Sequence, residues 1–265
     1  MLIKHTFAIC AYKESPYLEE LIRSLLSQKL RSSVILCTST PNEYIENLCK
    51  KYDIKLFISE KESSLMNDWS FALEMAKTKE GAELVTIAHQ DDIYHEDYSS
   101  ELMKAYEKYP DMLIFCCSNR TIDAYGNENG GKVEVVKKVL RLPLRIKGLS
   151  GNTFIKRLSL RFGNSICCPS CTYNIKLTGT ELFKKDYHFV IDWDTLWNLT
   201  SKKGRFIVCE KNLISYRVHE GAETKKNIVD HNREKEESLM FRKIWPEPVV
   251  KLLMHFYKSA YKAYD

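Results

Sequence analysis

Four short stretches of the chain carry side chains suited to phosphate and hydroxyl chemistry. Gln90-Asp91-Asp92 follows the apolar run Leu84 to Ala88, so two adjacent carboxylates emerge from what reads as a strand buried on both faces. Such a pair repels itself and is best tolerated beside a cation or in solvent. Val190-Ile191-Asp192-Trp193-Asp194 sets two more acids at the start of a helical pattern. Either acid could take a proton from a hydroxyl within reach, or merely favour a helix dipole. Tyr216-Arg217-Val218-His219, with Thr224 beyond, supplies an imidazole. Ala11-Tyr12-Lys13-Glu14 closes the first apolar run with a polar turn. Taken singly, each stretch also fits a bland role: a solvated loop, a helix start, a packing histidine.

The elements that must position these residues alternate. Thr6 to Ala11, Ser33 to Cys37, Lys55 to Ile58, Leu84 to His89 and Asp111 to Cys117 read as strands. Between them, Leu18, Leu21, Ile22, Leu25 and Leu26 recur at helical spacing, as do Leu65, Trp69, Ala72, Leu73 and Ala76. Thr40-Pro41-Asn42-Glu43 reads as a capping box for the helix near Tyr44 to Tyr52, and a further helix is expected near Tyr98 to Tyr109. Alternation of this kind predicts a mostly parallel sheet with helices on both faces. Ligands in such sheets bind beyond the strands' carboxyl ends, near the point where strand order reverses, and Asp91 and Asp92 fall at such an end.

The character changes after Asn119. A short helix is expected at Thr153 to Leu160, an extended stretch at Gly163 to Leu177, a short helix around Glu181 to Lys184, and a helix at Ile191 to Ser201. Two strands are expected at Arg205 to Cys209 and Leu213 to Val218. The terminal stripe Val249, Val250, Leu252, Leu253, Phe256, Tyr257 and Tyr261 could pack on the domain, meet another subunit or lie on a membrane.

With 265 residues and 44% hydrophobic content, the chain can bury a sizeable core. It has no apolar run long enough for a transmembrane helix and no secretory pattern at its start. Nine cysteines, several inside apolar runs, fit reduced core thiols in the cytoplasm. Cys168 and Cys171 lack the second ligand pair that a zinc site needs. The net charge of +5 is uneven: residues 132–161 hold nine Lys/Arg against Glu134 alone. That block reads either as a solvated connection or as an attractor of phosphate or anionic lipid. It lacks the interleaved aromatics of a nucleic-acid surface, so no nucleic-acid partner is expected.

Together, in this order, the stretches resemble family 2 glycosyltransferases, over roughly residues 5–224. FAICAYKESPYLEELIRSLLSQ resembles that family's first strand and helix, and HQDDIYHEDY its metal-binding acidic motif. FGNSICCPSCTYNIKL resembles the acceptor-side stretch, DWDTLWNL the catalytic segment and YRVHEGAET the terminal motif. The resemblance implies an α/β GT-A fold with a smaller acceptor-side region and a C-terminal helical extension. It divides the chain into 1–224 (1–119 for the nucleotide sugar, 120–224 for acceptor and catalysis) and 225–265. It implies a cytoplasmic transferase of polysaccharide biosynthesis, possible at the inner membrane face, that moves a sugar from a nucleoside diphosphate with inversion.

In that reading Ala11, Tyr12, Glu14, Asn67 and Asp91 serve the donor, and Asp92, Asp91 and His219 the metal, Mg2+ or Mn2+. Asp192 is the general base, with Asp194 its competitor, and Trp193 stacks on the acceptor. The expected donor is a UDP-sugar and the acceptor a glycan or lipid-linked hydroxyl. The chain departs from the family pattern at Lys13, where Asn is usual, and at Thr38-Ser39-Thr40, where an acidic pair is frequent, which leaves the base open. Neutralising Lys137, Lys138, Arg141 and Arg145 is expected to weaken donor binding. A sugar-phosphate nucleotidyltransferase and a non-catalytic sugar- or nucleotide-binding module are the alternatives.

Overall fold

Apolar residues on both faces of successive strands require a sheet covered twice, and the computed structural model shows one. It describes residues 4–146, 148–185, 187–221 and 232–261; Lys147, Thr224 and the side chain of Tyr261 lie outside what is described. The chain runs β1 (His5–Ala11), α1 (Leu18–Leu26), β2 (Ser33–Thr38), α2 (Glu43–Tyr52), β3 (Lys55–Ile58), α3 (Leu65–Glu80) and β4 (Leu84–His89). It continues through β5 (Ile93–Tyr94), α4 (Tyr98–Lys108), β6 (Met112–Ile122), α5 (Lys132–Arg141), a 3-10 turn at Leu142–Arg145 and α6 (Thr153–Leu158). Then come β7 (Thr172–Asn174), α7 (Ile175–Thr178), α8 (Ile191–Leu199), β8 (Arg205–Arg217), α9 (Asn232–Ile244) and α10 (Glu247–Tyr261).

The eight strands form one sheet in the order β3-β2-β1-β4-β7-β6-β8-β5. β1 pairs in parallel with both β2 and β4. The chain therefore winds outward from β1 to β3 and returns to β4 on β1's other side, which puts the reversal of strand order between β1 and β4. β7 is antiparallel to β4 and β6, and β6 and β8 run parallel. Phe7 and Ile9 of β1 join the core under α1, α2 and α4, whereas Ala8 joins the core under α3, α8 and α9. A buried polar chain crosses the strands: His5 Nε2 lies 2.8 Å from Thr86 Oγ1, which lies 2.6 Å from Thr172 Oγ1, 2.9 Å from the Tyr98 hydroxyl. Each member is satisfied by the next, so the chain fixes the register of β1, β4 and β7.

Several expectations are corrected. Gly163 to Leu177 is not one extended stretch. Cys168–Ser170 forms a 3-10 turn that Pro169 suits, only three residues join the sheet, and α7 follows. Glu181 to Lys184 is not helical; its Leu182 and Phe183 are buried. The two expected late strands are one, β8, whose pairing with β6 shifts register at Cys117/Ser118 and Ser118/Asn119. That irregularity carries Glu210-Lys211-Asn212, polar residues that read as a break. The basic block is no loose connection: Arg141 and Lys156 are fully buried, Arg141 donating to Ser165 O and Ser118 Oγ, and Lys156 to the carbonyls of Lys202 and Gly204. The terminal stripe splits, with Val250 in the core, beside Met254 from outside the stripe, and Leu252 and Phe256 exposed.

Candidate functional site

The carboxyl ends of β1 and β4 lie side by side, and their turns are tied together. Gln90 Oε1 accepts the Tyr12 N–H at 2.8 Å, and its Nε2 donates to the Tyr12 carbonyl at 3.2 Å. Lys13 then adopts φ +54°, a left-handed conformation that Asn tolerates better than Lys, and its N–H donates to Thr40 Oγ1 at 2.7 Å. Thr40 thus braces the turn from the end of β2, in the stretch where the expected acids are missing. Ala11 is buried, while Tyr12 and Glu14 are exposed. Asn67, at the start of α3, spends its amide on the Glu62 carbonyl. Its neighbour Asp68 lies close enough to Cys10 and Cys37, on β1 and β2, to raise both thiols after burial has done most of it. One Asp68 oxygen is buried with no hydrogen-bond partner.

The carboxylate pair divides. Asp92 is 2% exposed. Its Oδ1 accepts the Arg217 N–H at 2.9 Å, and burial pushes its carboxyl well above the usual range. Asp91 faces outward: Oδ1 accepts from Ser15 Oγ at 2.7 Å, and Oδ2 lies 3.2 Å from His219 Nε2. That last contact lacks hydrogen-bond alignment, for His219 Nε2 has no hydrogen-bond partner. Two ligand atoms about 3 Å apart suit neighbouring corners of an octahedron with metal–oxygen distances of about 2.1 Å. Among the described residues no group of three or more His, Cys, Asp or Glu could hold a metal. Mg2+ and Mn2+ are commonly held by one or two protein ligands and completed by substrate phosphates and water. The residues present therefore fit such a cation at Asp91 and His219, and Asp92, also expected as a ligand, keeps its Oδ2 buried with no hydrogen-bond partner.

Arg217, for which the sequence suggested no role, organises this corner. Its guanidinium donates to the carbonyls of Asp91, Asp123 and Ala124, pairs with Glu20 at 2.6 Å and stacks 4.3 Å from the Tyr17 ring centre. Tyr17 in turn packs against His219 at 4.9 Å. His89 is half-buried and stacked on Trp69, and loss of solvation lowers its pKa to about 4, so it is neutral at pH 7.

Asp192 sits at the start of α8. Oδ2 accepts from Asn164 Nδ2 at 2.7 Å, and Oδ1 from the Trp193 N–H at 2.7 Å. Burial raises its pKa to about 6, against the opposing pull of these bonds and of Lys137. Asp192 and Asp92 both act on the Cys168 thiol, whose sulfur lies 3.7 Å from His89 Nε2, so α8 opens beside the end of β4. Asp194 is engaged elsewhere: 3% exposed, it pairs with Lys243 at 2.8 Å and accepts from Asn198. Trp193 corrects an expectation. It is buried, its indole N–H donates to Leu160 O, and its ring packs edge-on against Phe241, so it presents no face to an acceptor.

The start of α8 has no side-chain cap of its own. Glu236 of α9 fills that role across the chain. Its carboxylate accepts the backbone N–H groups of His188, Phe189 and Val190 at 2.9, 2.8 and 3.1 Å. A carboxylate at a helix N-terminus also favours the dipole. Glu236→Gln replaces one acceptor oxygen by a donor facing N–H groups. The expected loss is about 2 kcal/mol of stability, read by denaturant melts.

A family model described as Glycosyl transferase family 2 matches residues 6–176. S. aureus TarS 1-349 in complex with UDP is similar in structure, with a TM-score of 0.62 at 14% identity over 97% of this chain and 71% of that one. Mannosyltransferase PcManGT from Pyrobaculum calidifontis, in complex with GDP-Man and Mn2+, gives 0.58 at 14% identity over 95% and 68%. Glucosyl-3-phosphoglycerate synthase from Mycobacterium tuberculosis, with Mn2+, UDP and glucosyl-3-phosphoglycerate, gives 0.58 at 13% identity over 92% and 82%. No curated protein matches the sequence. At these identities the likeness to the solved structures is one of fold.

Proposed function

The chain belongs to glycosyl transferase family 2 and has the GT-A fold, and on that premise we propose an inverting, metal-dependent transfer with Asp192 as general base. The enzyme moves a sugar from a nucleotide sugar. One contrast carries it: Asp192 is held with its carboxyl near pKa 6, while its rival Asp194 is consumed by Lys243 and Asn198.

The acceptor hydroxyl attacks the anomeric carbon as the bond to the diphosphate breaks. Asp192 takes the hydroxyl proton, and the electron pair of the broken bond leaves with the nucleoside diphosphate. Attack opposite the leaving group inverts the centre without a covalent enzyme intermediate. Asp91 and His219 would hold Mg2+ or Mn2+, whose chemistry when bound is to offset charge on the leaving diphosphate. Arg217 and Ser15 keep Asp91 in place. Ala11, Tyr12 and Glu14 form the turn assigned to the nucleoside, with Asn67 beside it and Asp68, which faces Cys10 and Cys37 at the ends of β1 and β2, a further candidate for the donor. A UDP-sugar is the leading donor, supported by the UDP complexes of TarS and the synthase. The acceptor is a hydroxyl of a glycan or lipid-linked carrier.

The test is product analysis with a panel of nucleotide sugars. Slow, metal-dependent release of nucleoside diphosphate is the expected result. Pyrophosphate released from a nucleoside triphosphate and a sugar phosphate would instead identify a nucleotidyltransferase, and binding without turnover a recognition module.

A further inference from the structure

An amphipathic helix normally turns its apolar side to the core. From α5 onward the reverse holds. Val135, Val136, Val139, Leu142, Ile146 and Leu149 follow one another at intervals of one to four residues, and each is 44% to 58% exposed. The residues turned inward are Arg141 and Leu144, at 1% and 0%. α6, which packs against the 3-10 turn, adds Phe154 at 63%. The one acid of the segment, Glu134, is folded back onto Thr121 Oγ1 and the Gly131 N–H. Cations remain: Lys138 on α5 and Arg157 on α6, while Arg145 is paired with Glu210.

We propose that this outward apolar face, with the cations around it, docks on an anionic lipid surface. An apolar stripe rimmed by lysine and arginine and free of exposed acid suits the boundary between acyl chains and anionic head groups. A protein partner or a second copy with an apolar patch would give no reason for that one-signed charge. The inner side of the same helix reaches the candidate base, because Lys137 acts on Asp192 and Arg141 holds the Ser165 carbonyl beside Asn164. Docking would therefore bring a lipid-borne hydroxyl to the acceptor side. That last step rests on the transferase reading above; the docking itself does not.

The experiment is co-sedimentation of the full chain with phosphatidylcholine vesicles, with and without phosphatidylglycerol. Binding is expected to be about tenfold stronger with the anionic lipid and to fall with salt. Val135→Asp/Val139→Asp/Ile146→Asp should cut it about tenfold and leave donor hydrolysis in solution unchanged. Equal pelleting of the triple variant and the parent would overturn the proposal. So would a concentration-dependent dimer, seen by light scattering, that the same variant dissolves. If donor hydrolysis fails while vesicle binding stands, only the transferase reading falls.

Discussion

Asp192→Asn should lower kcat by about 10²–10⁴-fold, the usual worth of a positioned base, while donor affinity stays within about twofold on the same ground. Asparagine keeps the shape and one acceptor oxygen but cannot take the hydroxyl proton. The pH profile gives a second readout. Because burial raises the Asp192 pKa to about 6, kcat/KM should rise with pH through that region, well above where an exposed aspartate titrates. Asp194→Asn should behave differently, losing stability through the stranded Lys243 while single turnover at saturating donor persists. If Asp194→Asn abolished turnover and Asp192→Asn did not, the assignment of the base would be wrong.

Asp91→Asn should abolish the metal dependence of donor binding and cost on the order of 10³-fold in kcat/KM, several kcal/mol of transition-state charge stabilisation. Chelation of divalent metal should reproduce that loss in the parent protein and change little in the variant. Titration calorimetry with Mn2+ and UDP separates this carboxylate from its neighbour. Asp92→Asn, facing the Arg217 backbone from a buried position, should lower the melting temperature and leave the Mn2+ stoichiometry intact. Lost Mn2+ binding in Asp92→Asn alone would return the ligand role to Asp92.

The parallel part of the sheet was legible because its signals are local. Continuous apolar strands, capped helices and their alternation define the parallel half, and Gln90-Asp91-Asp92 falls at a strand end by counting residues. What could not be read depends on partners far along the chain. Arg217 meets Asp91, Glu20 and Ala124 only after β8 is laid beside β6, and no spacing announces that. Glu236 looks like one charge among many in NREKEE, yet it caps another helix. Trp193 resembles an acceptor platform by its motif alone, but with Leu196 it marks the apolar side of α8, which assigns it to the core. In the block at 132–161 the density of charge masks apolar residues that repeat at helical spacing on the opposite side from Arg141.

The brace between α9 and α8 sets an order of events during synthesis. The strands that carry Ala11 and Asp91 leave the ribosome early. Glu236, Phe241 and Lys243 reach α8 only when α9 has followed. On the proposed assignments, a nascent chain paused between those stages would have the β1–β4 crevice in place and Asp192 unbraced. Such half-made molecules would hold a donor without spending it, and turnover would wait for α9.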